Sequence, residues 1–173
     1  AEEANSLVGV FCVGCSSPIV RQLSTMAKFV TALTVKEATQ IDWIESLRPA
    51  EILSWRELSF EIHIVTTCRP TLTDLLDSLV NSYFFGDEVE ITFSVEAGSC
   101  PRCRQELDRF RWTHGSKRVH HRLLPTGGPD VAIVEALNNA RLLPNRFAIL
   151  LEDDVGISLQ FYAWLKFVGL QLV

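Results

Sequence analysis

The spacing of hydrophobic positions changes near residue 59. Over 20–58, Leu23, Met26, Val30 and Leu33, then Ile41, Ile44 and Leu47, recur at three and four residues, the spacing of one helix face. This predicts an N-terminal helical segment, 1–58, broken at Pro49 and Ser54, with 50–58 as a connector. From Phe60 the period is two: Phe60, Ile62 and Ile64 alternate with Glu61, His63 and Val65, a strand that enters the loop Thr66-Thr67-Cys68-Arg69-Pro70. Thr71 or Thr73 can cap a helix with Leu72, Leu75, Leu76, Leu79, Val80 and Tyr83 inward, stopped by Gly86-Asp87. Over 88–95, Val89, Ile91, Phe93 and Val95 alternate with Glu90, Thr92 and Ser94 as a second strand. Strand, helix, strand of this length is a βαβ unit, for which a parallel sheet is the default, and such sheets bind ligands at the carboxyl ends of their strands.

Residues 96–128 hold no long apolar run. Gly127-Gly128-Pro129 then opens a helix from about Asp130, with Val131, Val134 and Leu137 inward, broken at Pro144-Asn145. Phe147-Ala148-Ile149-Leu150-Leu151 reads as a buried strand that stops at Glu152-Asp153-Asp154, and Ser158 can cap a last helix bearing Phe161, Trp164, Leu165 and Val168. Trp112 and Trp164 read as core, since aromatic rings usually bury. His63 reads as a satisfied residue of the strand's polar face. The class is α/β.

Composition narrows the function. A chain of 173 residues with 47% hydrophobic positions can build a domain core, which excludes disorder and a small disulfide scaffold. The net charge of −5 gives no overall cationic field and argues against a nucleic-acid partner. Against that acidic whole, 96–128 concentrates Arg102, Arg104, Arg109, Arg111, Lys117, Arg118 and Arg122. This local positive patch suits a phosphate or pyrophosphate, or is a solvated loop. The longest apolar stretch, Leu7 to Val20, falls short of the roughly 18 residues of a membrane span and reads alternatively as the remnant of a leader.

Four of the cysteines form the pairs Cys12-Val-Gly-Cys15 and Cys100-Pro-Arg-Cys103. A two-residue gap lets both thiolates reach one tetrahedral ion, which makes zinc a candidate. The separation by residues 16–99 far exceeds the roughly 15–20 residues of a zinc ribbon. The other reading has Cys12 and Cys15 as small apolar fillers, with Cys100 and Cys103 as free thiols or a local disulfide. At Glu152-Asp153-Asp154, three adjoining carboxylates disfavour joint ionisation, and a bound Mg²⁺ or Mn²⁺ would remove the conflict. An ion there can bridge a substrate diphosphate. The alternative is an acidic cluster satisfied by the amides of a helix start.

The segment LLEDDVGISLQFYAWLK resembles the metal-binding segment of GT-A nucleotide-sugar glycosyltransferases, whose DxD-type motif appears as EDD before an aromatic-rich helix, as in the N-acetylglucosaminyltransferase I type. EIHIVTTCRPTLTDLLDSLVNS resembles the opening strand, loop and helix of glycosyltransferase family 2. DRFRWTHGSKRVHHR is similar to family-2-like plant and fungal proteins with F-x-W-x-x-G-x-K before the EDD strand. Spanning 59–168, the resemblance implies a Rossmann-like GT-A nucleotide-sugar-binding sheet in 59–173. It also implies a glycosyltransferase using a nucleotide-sugar donor, most simply a UDP-sugar, a glycan, protein or lipid acceptor, Mn²⁺ or Mg²⁺ as cofactor, and a Golgi membrane setting.

By position, the resemblance makes Asp154 the direct metal ligand, with Glu152 and Asp153 contacting the nucleotide ribose or supporting the ion from behind. Thr66, Thr67 and Arg69 would line the nucleotide pocket, Glu96 would approach the base, and Lys117 or Arg118 would face phosphate. The plainer reading of Thr66 and Thr67 is turn capping, and of Glu96 a solvated strand end. GT-A enzymes draw their acceptor site, and in inverting members their general base, from chain beyond the metal motif, whereas residues 155–173 are all that follow Asp154. The expectation is therefore an incomplete domain with unassigned catalytic residues and an apolar face open to self-association. The rival expectation is a non-catalytic α/β interaction fragment that keeps the fold without turnover.

Overall fold

The computed structural model describes residues 7–99, 101–123, 128–140 and 143–172, so the expectations for Cys100 and Gly127 lie outside the described residues. In chain order the first elements are β1 (Leu7–Val13), α1 (Ser17–Leu23), β2 (Ala27–Leu33), α2 (Val35–Ala38) and α3 (Pro49–Leu53). They are followed by β3 (Ser59–Thr66), α4 (Leu72–Asn81), β4 (Glu90–Val95), α5 (Pro101–Arg109), β5 (Lys117–His121), α6 (Pro129–Asn138), β6 (Arg146–Glu152) and α7 (Phe161–Leu170). The chain divides into two compact units: Ala1–Leu58 with Tyr83–Asp87 and Gln160–Val173, and Ser59–Ser82 with Glu88–Leu159.

The first unit corrects the expectation of a helical N-terminal segment. β1 and β2 form a parallel pair around α1, with Val10 opposite Val30 and Cys12 opposite Ala32. Phe29-Val30-Thr31 is buried without interruption, and aromatic and β-branched side chains in such a run favour a strand over one stripe of a helix. Thr34 starts α2 with a reciprocal cap: its hydroxyl and amide donate to Glu37, whose amide donates back to the Thr34 hydroxyl. The other Glu37 oxygen accepts from the amides of Phe84 and Phe85 at 3.1 and 2.7 Å.

Trp55, fully buried, centres this unit's core against Phe11, Phe29 and Trp43. Beside it the Asp87 carboxylate accepts from Trp55 Nε1 (2.9 Å), the Tyr162 hydroxyl (2.7 Å) and Lys166 Nζ (2.7 Å). Lys166 also donates to the carbonyls of Trp55 and Leu58 and lies over the Trp55 ring, so a fully buried ammonium has every donor answered. Burial pushes the Lys166 pKa down while Asp87 opposes the shift. Burial, reinforced by Asp87, holds the Tyr162 phenol well above its ordinary value. This node decides which side of α7 turns inward: Tyr162, Ala163 and Lys166 are buried and Trp164 is 65% exposed, which corrects the expectation of a core Trp164.

In the second unit the strands run β5-β4-β3-β6, all parallel, with Ile62 of β3 between Ile91 of β4 and Ile149 of β6. One face carries Phe60, Ile62, Ile64, Ile91, Phe93 and Val95, all buried. The opposite face is polar and largely buried too. Across it the Arg146 guanidinium donates to Glu61 (2.7 Å) and Glu90 (3.0 Å), and Arg118 pairs with Glu90. His63 lies on this face with Nε2 3.1 Å from Glu61, yet neither ring nitrogen has a hydrogen-bond partner among the described residues, so the expectation of a satisfied histidine does not hold. Residues two apart on a strand stand side by side, a poor alignment for a hydrogen bond.

Three further expectations change. α6 packs against β3 and β6 with Ala132 and Ala136 buried, while Val131, Val134 and Leu137 face outward. Small residues let the helix approach a face already filled by long polar side chains. β6 is half-buried rather than buried, with Phe147 41% exposed, because among the described residues β3 is its one neighbouring strand. The stretch 96–128 contains α5, which buries Cys103 and Leu107, and β5, a basic edge strand of the kind that resists pairing with other chains.

Disulfides Cys12–Cys15 and Cys68–Cys103 replace the zinc set and the apolar-filler reading. Cys103 pairs with a cysteine that follows β3. Among the described residues no group of three or more His, Cys, Asp or Glu side chains is placed to hold a metal by itself.

Candidate functional site at the carboxyl ends of β3 and β6

After β3 the chain adds β4 and β5 on one side, then returns to place β6 on the other. Such a reversal of strand order leaves a crevice at the carboxyl ends of the two flanking strands. Here those strands end in Thr66 and Glu152.

Asp153 joins the two loops. Only 2% exposed, it accepts through Oδ2 from the Thr66 hydroxyl (2.7 Å), the Thr67 amide (2.9 Å) and the Arg69 amide (3.2 Å). The Thr66 hydroxyl in turn accepts from the amide of Cys68, whose φ of 66° turns the chain back on itself. The Cys68–Cys103 disulfide fixes the other side of this turn to α5. Arg69, half exposed, directs Nη1 to Asp154 at 2.5 Å and lies 3.5 Å from Asp153.

A cavity of about 300 Å³ opens beside this clamp. Val65, Thr67 and Arg69 line it from the β3 side, Glu152 and Asp153 from β6, Glu96 from beyond β4, and Ala132 and Ile133 from α6. Glu96 also borders a second cavity, of about 220 Å³, lined by Arg104, His121 and Arg122. Asp154, with a side chain 46% exposed, stands at the outer end of the β6 loop.

The fold therefore brings Thr66, Thr67, Arg69, Glu96, Glu152, Asp153 and Asp154 to one end of the sheet, with Thr66 buried as part of the clamp. Lys117 and Arg118 are elsewhere. Lys117 starts β5, at the opposite end of the sheet, and its ammonium donates to the carbonyls of Leu107 and Phe110, so the expected phosphate contact does not fit. Arg118 is held by Glu90. Trp112, half-buried, donates to the carbonyl of Val89. The α6 wall was not legible as part of a site, although Gly128 before it takes a φ of 133° that favours glycine.

Part of the chain has a counterpart among solved structures. A structure of S. aureus TarS, residues 1–349, superposes with a TM-score of 0.52 at 20% identity, over 62% of this chain and 31% of that one. At that identity the likeness is one of fold, an α/β domain built on a parallel sheet. This chain thus corresponds to under a third of the length of that structure. No protein-family profile matches the chain, and no curated protein does.

The donor chemistry divides the acidic trio. Asp153 has its inner oxygen filled by three donors. Asp154 and Glu152 are exposed and offer the hard oxygen ligands that Mg²⁺ and Mn²⁺ take. Mg²⁺ sites commonly use one or two protein carboxylates together with substrate phosphates and water, and this arrangement fits that pattern.

Proposed function

We propose that the chain binds a nucleotide-sugar, with a UDP-sugar as the first candidate, and forms the donor part of a metal-dependent glycosyltransferase. The observation that carries this reading is the Asp153 clamp, which shapes a turn of two backbone amides and Arg69 beside an acidic cavity at the sheet's switch point. Thr67 and Glu96 border the nucleoside, and Arg69 meets the diphosphate. An arriving diphosphate offers Arg69 a second anion, which frees an oxygen of Asp154. Asp154, aided by Glu152, is the residue to hold Mn²⁺ or Mg²⁺, which when bound neutralises charge on the departing nucleoside diphosphate. The acceptor, a glycan, protein or lipid, and the catalytic base are not part of the reading.

Calorimetric titration of UDP with and without Mn²⁺, beside Asp154→Ala, tests it. Manganese-dependent binding that disappears in the variant is expected. No binding under any condition overturns the reading and favours a non-catalytic interaction module.

A further inference from the structure

The paired cysteines near the start of the chain take no part in that function. β1 runs into Cys12-Val-Gly-Cys15, α1 follows, and β2 returns parallel to β1, so the Cys12–Cys15 disulfide sits at a strand-to-helix junction. It has little to hold. The residues it joins are three apart, and the turn it closes is already fixed: the Gly14 amide donates to the carbonyl of Leu33 at 2.9 Å, and β1 pairs with β2 as far as Val13 and Leu33. The other disulfide joins residues 35 apart and buries Cys103 to 2% exposure.

The two sulfurs of the short pair are unequally placed. Cys12 is buried on the strand, while Cys15 lies in the half-buried turn beyond it. Attack on Cys15, with Cys12 as leaving group, is the open route. No Asp, Glu, Lys or Arg occurs from Leu7 to Val20, and Val13 and Ile19 stand about half exposed beside the motif. A segment without charges of its own and with exposed apolar side chains suits a protein partner.

We propose that Cys12-Val-Gly-Cys15 is a thiol–disulfide exchange site whose substrate is a protein disulfide and whose reductant is a dithiol. A thiolate of the dithiol attacks Cys15 Sγ, the Cys15–Cys12 bond breaks, and Cys12 leaves with the electron pair as a thiolate. The second thiolate of the reductant then displaces Cys15, so the dithiol is oxidised by two electrons and the pair takes up two protons at neutral pH. In the delivering half-reaction the Cys15 thiolate attacks the substrate disulfide, and Cys12 resolves the mixed disulfide, regenerating the Cys12–Cys15 bond.

The test uses the full chain in a Cys100→Ser background. Equilibration in graded glutathione buffers, acid quench, alkylation and peptide mass analysis should show Cys12–Cys15 opening under conditions in which Cys68–Cys103 stays closed. The chain should accelerate dithiothreitol reduction of insulin at least roughly tenfold over the uncatalysed reaction. Cys15→Ser should abolish the acceleration, and Cys12→Ser should trap insulin on Cys15 as a mixed disulfide. Opening of both disulfides together, or no acceleration by the unsubstituted pair, overturns the proposal without need of a folded variant.

Discussion

Each unit gathers three donors from distant positions onto one carboxylate, and the two use it differently. Asp87 faces a buried cation, and its partners Trp55, Tyr162 and Lys166 come from segments that the node ties into one core. Asp153 faces no buried cation. Its partners are a hydroxyl and two amides of one turn, and what it fixes is the shape of a cavity wall. The first carboxylate is a matter of stability, the second of geometry.

The strongest way to break the contrast is Asp87→Ala. It leaves Lys166 buried without its counter-charge, and a loss of about 3–5 kcal/mol in urea unfolding is expected. Asp153→Ala should cost less, about 2 kcal/mol, because the turn amides it releases lie beside an open cavity, yet it should weaken UDP binding as severely as Asp154→Ala.

Tyr162→Phe sharpens the comparison through pH. It should cost about 1 kcal/mol near neutrality for the lost hydrogen bond to Asp87. The folded-state phenol lies well above its ordinary 10.0, so above that pH the folded protein keeps a proton the unfolded chain has lost, and stability falls as pH rises. The wild-type advantage over Tyr162→Phe should therefore shrink from pH 10 upward in paired chemical unfolding curves. Lys166 is shifted the opposite way but is present in both proteins. Smallest in stability is Asp154→Ala, within about 0.5 kcal/mol for an exposed side chain, while it removes manganese-dependent UDP binding. A large stability loss there would place Asp154 with Asp153 as a structural carboxylate.

Local pattern was enough where one face of an element is apolar and the other is not. β3, α4 and β4 were legible from Phe60 to Val95 because alternation and the Leu72, Leu75, Leu76, Leu79 stripe pick out their apolar faces, although the polar faces of both strands are buried as well and Val80, expected inward, is 52% exposed. It failed where tertiary partners choose the face. In α6 two alanines turn inward because the surface beneath is crowded, and in α7 the bond from Lys166 to Asp87 outweighs the preference of Trp164 for the interior. β2 was missed because Val30 and Leu33 satisfy helical spacing by coincidence. At the site, the residue types and their order were legible, but the division of labour within Glu152-Asp153-Asp154 was not. Burial of one carboxylate among three depends on Thr66 and Arg69, more than eighty positions away.

That distance bears on how the protein is made. The bond from Thr66 to Asp153 spans 87 residues, so the turn after β3 leaves the ribosome roughly 4–17 s before the carboxylate that shapes it. Through that interval the nascent chain carries the apolar central strand β3 with one edge lacking its eventual neighbour, β6. The shape of the cavity wall is then the last property the second unit acquires, and a pause in translation before Arg146 would present a sheet edge to chaperones or to other nascent chains.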